Sequence, residues 1–355
     1  MADMTGARIF DCDWSVASTA NAIKAAGIKS VIRYYSVSGA HPTKILSKDE
    51  LAALDNAGLS VAVVFENGGQ ADLFYDPQKK IDDISAALSC ADTIHQPTGT
   101  PIYFAADFDI AYRRKKNADG NYYKVGGDWA LETSADIRAE NEQAIYEYFQ
   151  YAYEQLTPKN YKVGVYGCGR TADLVGGAAE GRAKVAEFFW LSASVSYSDT
   201  AGVYNSGKWH LFQNMTEVPS HLIPASYTDE DGVVHTIDES SRTIDTDLLN
   251  DLYEDFGQWR KDGSRPPYPS ADSKLVLANR AFSIQKVAAV FSTPDPGSAT
   301  ITSIPYGRNA RILERRQDGI VGVGLHESSN IVGYCKASDL TVDLTKMPVW
   351  PTVDA

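Results

Sequence analysis

The feature that most constrains this chain is a phrase repeated from Arg8 to Asp247: a short β-branched or aromatic run ending in polar residues, then a stretch with helical spacing. Eight runs fit it: Arg8–Asp13, Ser30–Tyr35, Ser60–Glu66, Pro101–Asp109, Lys162–Gly167, Phe188–Ser194, Trp209–Asn214 and Thr243–Asp247. Helices are predicted at Val16–Ala26, Lys48–Ala57, Asp76–Thr93 and Ser134–Gln155, with Gly27 and Gly58 placed to cap the first two. Eight strands alternating with helices over about 250 residues is the arithmetic of a (β/α)8 TIM-like barrel. An open doubly wound sheet that binds a dinucleotide needs a glycine-rich turn after its first strand, and none is present here.

Two stretches read as additions to the barrel. Asn117–Trp129 is polar and glycine-rich and is expected to form an excursion over the mouth after the fourth strand. Tyr227–Ser240 has an Asp-Gly turn between polar flanks and is expected to form a small hairpin before the eighth strand. Around Gly257–Ser273 the periodicity stops and Pro266, Pro267 and Pro269 appear, as in a semi-rigid linker. Beyond it, short β-runs separated by turn residues predict a small all-β barrel. The expected organisation is a barrel at 1–256, a linker at 257–273, an all-β barrel at 274–345 and a tail at 346–355.

With 44% apolar and 22% charged residues the chain has the composition of a folded protein. Its 33 Lys and Arg against 46 Asp and Glu leave a net charge of −13, so nucleic acid is not an expected partner. The four cysteines have neither zinc-site nor disulfide-framework spacing and are read as free thiols; no metal or cofactor is expected. No apolar run reaches membrane-spanning length, and the first residues lack the layout of a secretory signal. The chain is therefore expected to be cytoplasmic as synthesised, with export by a non-classical route as the way to an extracellular target.

The informative residues end the strands. Three of the eight runs finish in Asp-x-Asp: Asp11 and Asp13, Asp107 and Asp109, Asp245 and Asp247. Residues at i and i+2 share a face of a strand, so each pair can aim at one space. In the fourth run Ile102, Phe104, Ala106 and Phe108 suit the helix layer, which turns Asp107 and Asp109 into the barrel mouth. Glu66 ends the third run in register with Ala62 and Val64, and Arg33, Tyr35, Tyr166, Trp190 and Gln213 lie at or near other strand ends. A barrel of this kind builds its active site at that face.

One aspartate at a strand end is ordinarily a turn residue or helix cap. Several at corresponding ends are costly to ionise together, so at least one is expected to hold its proton beside a charged neighbour, the equipment of a glycosidase. The rival chemistry is a magnesium or calcium site, for which no sharper ligand motif is present. Tyr146, Tyr148, Phe149, Tyr151 and Tyr153 fall in one helical segment and are read as packing.

FDCD, VIRYYS, KDELAALDNAGLSVAVVFE, PIYFAADFD, KVGVYG, FFWLSAS, WHLFQN and IDTD together resemble, in order, the glycoside-hydrolase-like domain of unknown function number 1906, a relative of the family 25 lysozymes. The resemblance spans about Arg8 to Leu252. It implies a (β/α)8 barrel with a carbohydrate cleft at the strand C-termini and, from the lysozymes, cleavage of the peptidoglycan glycan strand. The lysozyme pattern at the fourth strand is Asp-x-Glu; here Asp107 and Asp109 occupy it, so the proton-donor slot holds the shorter Asp109. The C-terminal segments IPYGRNARILERR and VGLHESSNIVGYCKASDL resemble a bacterial SH3-like domain, which implies binding of wall peptides.

The expected function is that of a peptidoglycan-directed glycoside hydrolase, muramidase-like. Asp109 or Glu66 would be the general acid, and Asp107 and Asp11 would stabilise the transition state or orient water. Asp13, Arg33, Tyr35, Tyr166, Trp190, Gln213, Asp245 and Asp247 would line the substrate cleft. The alternatives are a non-catalytic glycan-binding or structural barrel and a metal-dependent hydrolase.

Overall fold

The computed structural model describes residues 8–37, 43–125, 128–179, 181–229, 231–250, 252–267, 280–283, 287–305, 309–324 and 331–341. The tail at 346–355 and the linker residues 268–273 lie outside them.

The chain opens with β1 (Ile9–Asp11), a 3-10 turn and α1 (Ala20–Ala25), then β2 (Ser30–Tyr35), α2 (Lys48–Asn56), β3 (Ser60–Phe65), α3 (Ala71–Phe74), α4 (Pro77–Ile94) and β4 (Pro101–Ala106). The excursion after β4 holds β5 (Arg113–Arg114), β6 (Lys124–Val125), β7 (Asp128–Trp129) and β8 (Leu131–Glu132). Next come α5 (Ala135–Leu156), β9 (Lys162–Gly167), α6 (Gly169–Val175), β10 (Phe188–Leu191), α7 (Thr200–Ser206) and β11 (Leu211–Pro219). A hairpin of β12 (Ser226–Thr228) and β13 (Val234–Thr236) leads into β14 (Thr243–Leu249). Local chemistry sets the helix ends: Ser47, Asp76 and Ser134 each accept a backbone N–H in the first turn of α2, α4 and α5, and Pro77 begins α4.

Eight strands close a barrel in the order β1-β14-β11-β10-β9-β4-β3-β2. Seven are mutually parallel, as expected, but β14 runs antiparallel to both β1 and β11. This corrects the uniform (β/α)8 expectation. A parallel eighth strand needs a crossover back to the barrel floor, usually a helix; the β12–β13 connection instead lets the chain re-enter from the mouth.

Alternation sorts the side chains. Ile9, Ile32, Ala62, Val64, Tyr103, Ala105, Trp190, Leu211 and Leu249 fill the lumen, while Phe10, Val31, Val61, Val63, Phe65, Ile102, Phe104, Val163 and Val165 pack toward the helices. Tyr103 crosses the lumen, and Gly164 makes room for it: a Cβ there would meet the Tyr103 ring at 2.6 Å. The Tyr103 hydroxyl donates to the Phe256 carbonyl at 2.7 Å.

The first residues of the segment read as a linker at 257–273 pack against the barrel. Trp259 is fully buried and exchanges two 2.8 Å backbone hydrogen bonds with Val61 across the foot of β3. Residues 257–259 therefore belong to the barrel floor.

The C-terminal strands are β15 (Arg280–Ser283), β16 (Val287–Phe291), β17 (Thr300–Pro305), β18 (Asn309–Arg315), β19 (Ile320–Gly324), β20 (Gly333–Lys336) and β21 (Leu340–Thr341). They form an antiparallel sheet in the order β17-β16-β20-β19-β18-β15-β21, all-β as expected, around Val290, Ile304, Ile312, Val323 and Cys335. The four cysteines are free thiols.

Candidate active site

The mouth of the barrel is built from inward positions near the upper ends of β1, β3, β4, β9, β10 and β11 and the start of β14. Asp11 pairs in register with Asp245, and Ile9 with Asp247, so Asp245 lies level with Asp11 and Asp247 one layer below. The reversal of β14 decides this order: in a parallel strand Asp247 would be uppermost. Asp11 and Asp247 are buried and Asp245 is partly exposed.

A hydrogen-bonded lattice joins them. Gln213 is its hub: its Nε2 donates to Asp245 Oδ2 at 2.9 Å and Asp11 Oδ2 at 3.2 Å, and its Oε1 accepts from the Tyr166 hydroxyl at 2.9 Å. Tyr34 donates to Asp11 Oδ1 at 2.8 Å, and the Trp190 indole to Asp247 Oδ1 at 2.8 Å. The backbone N–H of Glu217 donates to Asp245 Oδ1 at 2.7 Å. Register shifts in β11 between Gln213 and Val218 turn that N–H toward Asp245, and Glu217 takes a φ of 56°, in the left-handed region.

Asp247 Oδ2 is buried with no donor among the described residues. The Asp11 charge acts on Asp247 and raises its affinity for a proton. Burial, opposed by the Tyr34 and Gln213 hydrogen bonds and aided by Glu66 and Asp13, pushes Asp11 up to about 7. Burial and the Asp11 charge push Asp245 and Asp247 well above the usual carboxylate range. Asp11 can therefore hold a proton near neutral pH.

Around this lattice stand more open acids. Glu66 faces inward just past β3 and pairs with Lys44 at 2.8 Å. Asp107 follows β4, is exposed, and acts electrostatically on Tyr166 and Asp245. Asp13 lies past the end of β1, half-buried, with its charge felt by Asp11.

Three expected site residues are placed elsewhere. Arg33 and Tyr35 occupy the outward face of β2. Arg33 is fully buried, bonds Glu50 of α2 at 2.8 Å, and donates to the carbonyls of Cys12, Thr43 and Lys44. Tyr35 donates to Gln96 at 2.8 Å behind the sheet. Both hold the helix layer to the barrel. Asp109 accepts from Ser198 at 2.5 Å and from the Ala111 N–H at 3.1 Å, a turn residue tied to the loop after β10. Its pKa is raised by burial, yet its hydrogen bonds do not join the Gln213 lattice.

Sequence reasoning missed Tyr34, Lys44 and the Glu217 N–H. Tyr34 was legible in principle: Ile32 aligns with the inward Asp11, and Tyr34 shares its face. The charge of Arg33 pointed to the wrong parity, because a buried ion pair behind the sheet looks like a lumen residue in sequence.

The fold is a mixed α/β barrel with carboxyls gathered at its mouth, and comparison with known proteins matches part of the chain to a family model. Residues 21–124 match the family model described as Rv2525c-like, glycoside hydrolase-like domain; the match takes in Glu66 and Asp107 but not Asp11, Asp245 or Asp247. The chain is similar to the uncharacterized protein YbfG of Bacillus subtilis (strain 168), 32% identical over 97 residues. That stretch is 26% of this chain and 13% of YbfG. Among solved structures, the Mycobacterium tuberculosis Tat-secreted protein Rv2525c in complex with L-tartrate superposes with a TM-score of 0.47 at 18% identity, over 71% of this chain and 98% of that one. The Bacillus megaterium QM B1551 spore cortex-lytic enzyme SleL gives a TM-score of 0.31 at 11% identity, over 67% and 60%. Among the described residues no helix is long and apolar enough to cross a membrane.

Proposed function

We propose that the barrel is a peptidoglycan-directed glycoside hydrolase of the muramidase type, with Asp245 rather than Asp109 as proton donor. The observation that carries the reading is a partly exposed carboxyl, pushed well above the usual carboxylate range by burial and the Asp11 charge, at a mouth that Asp107 and Glu66 also face. Asp245 would give its proton to the glycosidic oxygen as the bond to the anomeric carbon breaks, and Asp107 or Glu66 would stabilise the oxocarbenium-like centre until water adds and returns a proton to Asp245. Asp11 and Asp247 lie too deep to meet a sugar; they would set the protonation of Asp245 from below. Tyr166 and Gln213 would position it, and Asp13 would line the cleft. The glycoside-hydrolase-like family match over 21–124 supports the substrate class. In this reading the C-terminal sheet is an SH3-like module for wall peptides, joined by a linker, and the chain acts outside the cytoplasm.

The test is mass spectrometry of purified peptidoglycan after incubation with the parent protein and with Asp245→Asn. New reducing muramic ends made by the parent, and lost by a factor of about a hundred or more in the variant, are expected. Equal digestion by the variant would remove Asp245 from the mechanism, and no digestion by the parent would remove the hydrolase. One observation favours a non-catalytic glycan-binding barrel: the fourth-strand pair brings only Asp107 to the mouth, since Asp109 is engaged by Ser198. Glycan bound and recovered intact would establish it.

A further inference from the structure

The excursion between β4 and α5 is basic in a chain whose net charge is −13, with Arg113, Arg114, Lys115 and Lys116 consecutive. Its strand pairs put Arg114 opposite Leu131, Lys124 opposite Trp129 and Lys116 opposite Tyr122. Directly opposed residues share a face, as do residues two apart, so Arg114, Lys116, Tyr122, Lys124 and Trp129 project from one side. They form a row. The Lys116 ammonium lies 4.9 Å from the Tyr122 ring centre, the Arg114 guanidinium 5.6 Å from Tyr122 and 4.6 Å from Trp129, and the Lys124 ammonium 4.9 Å from Trp129. Cation, ring, cation, ring and cation therefore alternate. Arg114 is steadied from behind by Asp72 at 3.5 Å, while Lys116, Lys124 and Trp129 are exposed. A cavity of about 640 Å³ opens beside the row, bordered by Arg114, Lys116 and Tyr122 and also by Asp72, Glu132 and Glu140, whose charges are paired with Arg114 and Arg113.

We propose that this face is a docking surface, separate from the mouth, for an acidic polysaccharide in which charged sugars alternate with neutral ones. Cations bind the anionic groups, and the exposed part of Trp129 offers apolar surface to the neutral pyranoses between them. A bilayer fits less well, because the exposed apolar residues divide between the two sides: Trp129 and Leu131 on the row face, Tyr123 and Val125 on the other. Nucleic acid carries a phosphate at every nucleotide and has no uncharged sugar to meet the rings that separate the cations.

The test is equilibrium binding of the full chain to hyaluronate decasaccharide, which alternates glucuronate with N-acetylglucosamine, at low and moderate salt. Controls are neutral chitin oligomers, vesicles containing phosphatidylglycerol, and a DNA 20-mer. The expected result is hyaluronate binding that weakens with salt and falls about tenfold or more in Lys116→Gln/Lys124→Gln and, separately, in Trp129→Leu. Circular dichroism confirms that each variant is folded. Asp245→Asn should bind hyaluronate like the parent, which separates this surface from the mouth. Absence of hyaluronate binding, unchanged binding by both row variants, or equal or tighter binding of vesicles or DNA would each overturn the proposal.

Discussion

Asp247→Asn tests the coupling of Asp11 to Asp247 directly. Asp247 Oδ1 accepts from the Trp190 indole, and its Oδ2 is buried with no donor among the described residues. An asparagine keeps the first contact, removes the neighbouring acid and presents an N–H at the Oδ2 position. In the parent, Asp11 moves from 3.8 in the unfolded chain to about 7 in the fold. The folded state thus retains a proton that the unfolded chain has released above about pH 4, and stability falls as pH rises from there through 7. That shift corresponds to about 4 kcal/mol by linkage. In the variant, an N–H donated to ionised Asp11 restores about 1.5–3 kcal/mol, the usual range for a hydrogen bond to a charged group. The variant should therefore be about 2 kcal/mol more stable than the parent at pH 8, with the difference closing toward pH 4. Urea unfolding followed by tryptophan fluorescence at several pH values measures it, provided the denaturant slope is the same for both proteins. A variant less stable than the parent at pH 8, or one with the parent's pH dependence, would refute the coupling.

Other substitutions separate the site from the scaffold. Arg33→Met should cost about 3–5 kcal/mol in urea unfolding, because it leaves Glu50 buried without its cation, whereas a substrate-binding Arg33 would leave stability untouched. Asp109→Asn should change the rate of glycan cleavage by less than about threefold while lowering stability by about 1 kcal/mol, through its hydrogen bond from Ser198; loss of several powers of ten in rate would return it to the site. Tyr34→Phe removes a donor that lowers the Asp11 pKa, so the Asp11 titration, followed by carboxyl carbon NMR, should move upward from about 7.

The barrel was legible because its strands and helices are written in local alternation: the four predicted helices fall within a few residues of α1, α2, α4 and α5. The inward direction of Asp11, Glu66 and Asp107 was legible for the same reason, since the apolar residues between them must face the helices. Arg33 and Tyr35 were misread because parity fails as a guide when both faces of a strand are buried and one buries an ion pair.

The sequence by itself determined where the barrel strands and four of the helices form, how many strands there are to close a barrel, and that acids stand near their ends, because these follow from side-chain period and turn chemistry along one stretch of chain. Only the tertiary structure decided that β14 enters from the mouth, that Asp247 therefore lies beneath Asp245, and that Asp11 and Asp247 are buried in one lattice. Gln213 contacts Asp11 across 202 positions, and such a contact depends on strand direction and register. A one-residue slip in register would turn each of these side chains to the opposite face, and nothing local to any one strand fixes that choice.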